Sequence, residues 1–127
     1  KRSAGGFLSR IGEPKGMPDW FTQKDLDYVV GQFEQSGFRG GVNYYRNIER
    51  NWKLTEDLKD HSIKVPTLFL AGTEDMVIRG ASKEALQSSM KEAIPFLENV
   101  ILLPNIGHWV QQEAPEDTNK FLLEFLK

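Results

Sequence analysis

Val65-Pro66-Thr67-Leu68-Phe69-Leu70-Ala71-Gly72-Thr73-Glu74-Asp75 is an apolar run that stops at a glycine and an acid. Asn99-Val100-Ile101-Leu102-Leu103-Pro104 is a second such run, followed by Asn105-Ile106-Gly107-His108-Trp109. Short apolar runs without alternation predict strands covered on both faces, as in a parallel sheet. Residues 81–93, between the runs, place Leu86, Met90 and Ala93 on one helical face, with Pro95 past the end. Strand, helix and strand make a βαβ unit, expected to be right-handed. The predicted class is therefore α/β. Two strands alone do not make a stable open sheet, so the runs read as the last two strands of a larger one.

Outward from this unit the chain turns helical. Pro115 is a favoured first helical residue, and Phe121, Leu122, Phe125 and Leu126 predict the buried stripe of a last helix. On the other side, a helix is expected from about Gly41 to Trp52, with Val42, Tyr45, Ile48 and Trp52 near one face. An earlier helix opens at Thr22, an N-cap with Asp25 three residues on and Phe21 and Leu26 in the staple positions. Leu26, Val29, Val30 and Phe33 share its apolar face, and Gly37 ends it. Residues 1–17 are polar and punctuated by Pro14 and Gly16, and read as a loop. The expected division is thus 1–17, 18–56 and 57–127.

Composition removes whole classes of function. The 127 residues contain no cysteine, which excludes disulfides, Cys-based zinc sites and thiol catalysis. Sixteen Lys and Arg against 18 Asp and Glu give a net charge of −2, without the basic surplus of a nucleic-acid module. The apolar runs fall far short of the roughly 20 residues that span a bilayer, and no secretory signal is visible, so a cytoplasmic protein away from membranes is expected. No metal and no cofactor are expected. The chain begins at Lys1 and not at a methionine, which raises the expectation of an incomplete reading frame.

Asp75 and His108 each lie just past the end of a predicted strand. Parallel strands would bring both to the same carboxyl edge, where open α/β folds bind ligands. An acid hydrogen-bonded to a histidine fixes its tautomer and steadies the imidazolium, which makes the histidine a general base. Either residue alone is more often a turn or structural residue; the equivalent placement on successive strands is what argues for chemistry. His61, the other histidine, precedes the first strand and reads as a loop residue. Tyr44 and Tyr45 point about 100° apart on a helix, so they cannot both face one pocket. A nucleophile elbow of the Gly-x-Ser-x-Gly or Gly-x-Asp-x-Gly type does not occur.

Gly37-Phe38-Arg39-Gly40-Gly41-Val42-Asn43-Tyr44-Tyr45-Arg46-Asn47-Ile48-Glu49-Arg50-Asn51-Trp52 resembles the segment of the epoxide hydrolase cap that ends in a tyrosine followed by Arg-Asn. Gly72-Thr73-Glu74-Asp75 and Gly107-His108-Trp109-Val110-Gln111-Gln112-Glu113-Ala114-Pro115 are similar to the acid and histidine motifs of the same family. From about Asp19 onward the chain thus resembles the C-terminal portion of an α/β-hydrolase. Residues 1–17 would be a loop or cap remnant, 18–56 the last cap helices, and 57–127 the end of the core. The resemblance implies that Asp75 is the acid, His108 the base and Tyr45 a donor to the epoxide oxygen, with Trp109 and Val77 lining the substrate. It implies a small-molecule epoxide as substrate, opened by an aspartate through an alkyl-enzyme ester and released as a diol.

The elbow aspartate, the oxyanion loop and a second cap tyrosine would come from upstream. The chain is therefore expected to be inactive alone, to need the N-terminal half of the same fold, and to have an open sheet edge through which it could dimerise. A haloalkane dehalogenase on the same scaffold and a non-catalytic interaction module are the competing expectations. Tyr45-Arg46-Asn47 speaks against the dehalogenase, because halide release calls for halide-binding donors and not a ring-opening phenol.

Overall fold

The two apolar runs pair in parallel. In the computed structural model, which describes residues 12, 14–59, 61–78 and 80–127, β1 (Thr67–Gly72) lies beside β2 (Leu97–Leu103). The register sets Leu68 against Asn99 and Gly72 against Leu103, with one irregularity between Thr67 and Leu68. These two strands make up the sheet among the described residues.

The chain divides into two compact units, one up to Gly40 and one from Gly41 onward. The first unit holds helix α1 (Gln23–Ser36). Its start is the expected capping box: the Asp25 amide donates to the Thr22 hydroxyl at 3.2 Å, and the Thr22 amide donates back to the Asp25 carboxylate at 2.9 Å. The Thr22 hydroxyl also donates to that carboxylate, at 2.6 Å, and holds it below the usual carboxylate range. Gly37 ends the helix at a φ of 65°, which favours glycine. Phe33 and Phe38 stack with ring centres 4.6 Å apart. Val29, Val30 and Phe33, on the predicted apolar face, remain exposed, and Leu26 is half-buried. Of the expected opening loop, 1–17, the described residues include only Gly12 and those from Pro14 onward.

The helix expected over 41–52 is two: α2 (Arg39–Arg46) and α3 (Ile48–Leu54). Asn47 breaks it. Its side-chain amide donates to the Asn43 carbonyl at 2.9 Å, the same carbonyl that accepts its backbone amide at 3.1 Å. Asparagine competes for local backbone groups in this way, which is why it interrupts helices. A short 3₁₀ turn, Glu56–Leu58, follows.

Between the strands runs α4 (Lys83–Met90), capped by the Ser82 hydroxyl, which accepts from the Ala85 amide at 3.1 Å. It is shorter than the expected 81–93, and Ala93 lies beyond it, where its carbonyl accepts from the Ile63 amide at 2.7 Å. After β2 come a single helical turn, α5 (Val110–Glu113), which the periodicity did not predict, and α6 (Pro115–Phe125). The core is small: Ala71, Leu86, Val100, Leu103 and Val110 are buried, Val100 completely.

The stripe expected on α6 is displaced. Thr118 is the buried residue of this helix, and its hydroxyl donates to the Val110 carbonyl at 2.9 Å. Phe121 and Phe125, three and seven residues on, face Leu68 and Ile101 across a cavity of about 280 Å³. Leu122 and Leu126 are exposed. The Thr118 anchor sets the rotation of α6 and turns the leucines outward.

This layout predicts opposite outcomes for two similar truncations. Val100→Ala removes two fully buried methyl groups and should destabilise the chain by about 2 kcal/mol. Leu126→Ala, from the stripe the sequence suggested, should stay within about 0.5 kcal/mol. Urea unfolding followed by circular dichroism measures both.

Candidate active site

Asp75 and His108 meet at the carboxyl edge of the parallel pair. Nδ1 of His108 lies 2.9 Å from Oδ2 of Asp75. Asp75 is 7% exposed, while the side chain of His108 remains about half exposed. The second carboxylate oxygen, Oδ1, accepts from the Val77 amide at 2.8 Å. That amide is the main reason the Asp75 carboxyl is held below its usual range; burial opposes the shift and the bond to His108 reinforces it. An ionised carboxylate only accepts, so Nδ1 of His108 carries the bonding proton; in the neutral ring Nε2 then holds the lone pair.

The two loops are also laced together by their backbones. The Thr73 amide donates to the Leu103 carbonyl at 2.9 Å, continuing the strand pairing. The Glu74 amide donates to the Ile106 carbonyl at 2.9 Å, and the Asn105 amide donates to the Thr73 hydroxyl at 2.9 Å. Asn105 turns the chain off β2 at a φ of 61°, a left-handed conformation that asparagine tolerates. Gly72 has no room for a side chain: a methyl group there would strike the carbonyl oxygens of Ile106 and Gly107. The end of β1 therefore touches the backbone that leads into His108.

On its far side the histidine loop is held by Glu113. One carboxylate oxygen accepts from the Gly107 amide at 2.7 Å and the other from the Trp109 amide at 2.9 Å. These are the amides on either side of His108. Sequence reasoning did not single out Glu113. The available signal was an acid one helical turn after Trp109, a spacing from which a carboxylate reaches back to an amide at the helix start.

Of the remaining residues named from sequence, Trp109 is exposed and meets the His108 ring edge-on, with centres 5.2 Å apart. The Val77 side chain is exposed, and its backbone amide is the part that touches Asp75. Tyr45 is exposed on α2 and packs edge-on against Tyr44, with ring centres 5.5 Å apart. No hydrogen bond or ring contact joins it to Asp75 or His108. His61 lies outside any helix or strand. Among the described residues there is no cluster of three metal-ligating side chains, and no helix is long and apolar enough to cross a membrane.

Comparison with known proteins shows what the chain is similar to. No protein-family model matches the chain. Epoxide hydrolase A of Mycobacterium tuberculosis is 43% identical over 121 residues, 95% of this chain and 36% of that protein. The chain is homologous to the C-terminal part of epoxide hydrolases. Epoxide hydrolase 1 of Siraitia grosvenorii is 36% identical over 124 residues, 96% of this chain and 39% of that protein. A solved variant of a potato epoxide hydrolase superposes with a TM-score of 0.84 at 34% identity, over 97% of this chain and 39% of that structure. The chain spans less than two fifths of the length of these epoxide hydrolases. The α/β-hydrolase fold and the epoxide hydrolase resemblance read from the sequence both hold.

Two outcomes follow from the geometry. Because folding lowers the pKa of Asp75, its carboxylate contributes stability at pH values above the unfolded pKa, and that contribution is lost as pH falls through the folded value. The melting temperature should therefore drop on acidification, and Asp75→Asn should flatten the drop. Gly72→Ala should open the two loops and raise amide exchange at Asn105 and Gly107, without unfolding α4.

Proposed function

We propose that this chain carries the acid–base portion of an epoxide hydrolase, with Asp75 as the acid, His108 as the base and Tyr45 as a donor to the epoxide oxygen. The observation that carries the reading is the 2.9 Å Asp75–His108 bond at the sheet edge, in a chain homologous to these enzymes. Residues 18–56 would be the last helices of the cap, and Trp109 and Val77, exposed beside the pair, would line the substrate.

The nucleophilic carboxylate would come from an N-terminal part of the same fold, since no Gly-x-Asp-x-Gly elbow occurs in the 127 residues. Its oxygen attacks one epoxide carbon, and the bond from that carbon to the ring oxygen breaks. The developing alkoxide is hydrogen-bonded by the Tyr45 phenol and takes up a proton from solvent. An alkyl-enzyme ester results. Nε2 of His108 then draws a proton from water, and the hydroxide adds to the ester carbonyl. The tetrahedral intermediate expels the diol oxygen, which takes the proton back from Nε2. The carboxylic acid left on the nucleophile releases a proton to solvent, restoring the carboxylate and balancing the proton taken up at ring opening. Asp75 stays ionised throughout, orienting the ring and offsetting the imidazolium charge. The histidine must be neutral to begin this step.

The test is a chimera of residues 19–127 joined behind the N-terminal half of an epoxide hydrolase. It should convert styrene oxide to the diol with repeated turnover, whereas the isolated chain should form none. In the chimera, His108→Ala should halt at the ester, seen as the added mass of one epoxide per protein with no diol. Tyr45→Phe should cost about 10²–10³ in rate, and Tyr44→Phe much less. Diol formed by the isolated chain, or turnover by the His108→Ala chimera, would contradict the reading; equal effects at the two tyrosines would remove Tyr45 from it.

A further inference from the structure

His108 stands on a loop with no helix or strand of its own. β2 ends at Leu103 and α5 begins at Val110. The ring has one hydrogen bond, to Asp75, and one edge contact, to Trp109. With half its side chain open to solvent, a residue so placed would sample several backbone and rotamer states unless the loop were held.

We propose that Glu113 is the positioning residue of His108: its carboxylate spans the Gly107 and Trp109 amides and fixes the backbone from which the imidazole reaches Asp75. The proposal rests on the reading of His108 as the base. Three observations carry it. The two bonds, at 2.7 and 2.9 Å, fall on the immediate neighbours of His108 and on no other residue. Both are charge-assisted, the stronger class of hydrogen bond. Gly107 also leaves the space the carboxylate occupies, because a Cβ there would lie 2.8 Å from one carboxylate oxygen and 3.0 Å from the other.

Glu113 is itself anchored. It ends α5, whose first carbonyl, at Val110, accepts both the Ala114 amide at 3.0 Å and the buried Thr118 hydroxyl at 2.9 Å. The tether thus runs from the end of β2 through Glu113 to α6, and the base is suspended between two fixed points. A glutamine cannot replace the carboxylate, because its NH₂ would face one of the two amide donors.

The experiment is proton and nitrogen NMR of the whole 127-residue chain, reading the His108 Nδ1–H signal and its exchange with water. Glu113→Gln removes one of the two bonds and the charge. Gly107→Ala keeps the charge and displaces the carboxylate, and it decides the matter should the first variant unfold. Asp75→Asn is the reference for a broken pair. The expected result is a slowly exchanging Nδ1–H in the wild type that exchanges about tenfold faster or more in both variants, with α4 and α6 amides unchanged. Unchanged exchange in a folded Gly107→Ala chain overturns the positioning role even if Glu113→Gln has an effect, because charge alone would then be acting. If the wild type shows no such signal, or if the signal survives Asp75→Asn, the acid–base reading fails first, and this proposal with it.

Discussion

The close approach of Gly72 to the Ile106 and Gly107 carbonyls is the constraint on which the site depends. It joins the last residue of one strand to the loop that leaves the other. Parallel pairing alone would bring the two strand ends to the same edge, but it would not bring their loops into contact. Without a Cβ at position 72 the backbones touch, and the Thr73 and Glu74 amides find carbonyls across the gap. The Asp75–His108 bond lies across loops that these contacts hold together.

The electrostatics follow from the same arrangement. A carboxylate that is nearly buried needs partners for its charge. Asp75 has the Val77 amide on one oxygen and the imidazole on the other. Both favour the ionised form, and an ionised acid leaves the histidine one tautomer to adopt. Asp75 is enclosed and His108 is half open, which is the division of labour that the proposed general base catalysis on a water molecule requires. Glu113 repeats the device on a second carboxylate, turned to backbone amides instead of a side chain.

Much of this was legible in the residues. The two apolar runs declared parallel strands because nothing in them alternates, and Thr22 with Asp25 announced a capping box that formed as written. Asp75 and His108 were singled out because each lies just past the end of a predicted strand, and the folded chain brings their side chains within 2.9 Å. Other features depend on contacts that apolar periodicity does not encode. Asn47 divides one expected helix because its amide has the Asn43 carbonyl within reach. Thr118 displaces the apolar stripe of α6 because a buried hydroxyl found the Val110 carbonyl. Gly72 reads in sequence as the end of a strand, and only the folded chain shows that it makes room for another loop. Val77 entered the reading as a substrate contact, and what the structure shows is its amide on Asp75.

The central claim is that this chain holds a preassembled acid–base pair with one nitrogen of the histidine free. The most direct measurement is the pair of imidazole ¹⁵N chemical shifts of His108 in the isolated chain at neutral pH, which report the tautomer. The account predicts a protonated Nδ1 and an unprotonated Nε2. A proton on Nε2 with Nδ1 bare would contradict it, because the Asp75 carboxylate would then have no donor from His108 and the base no lone pair to offer water.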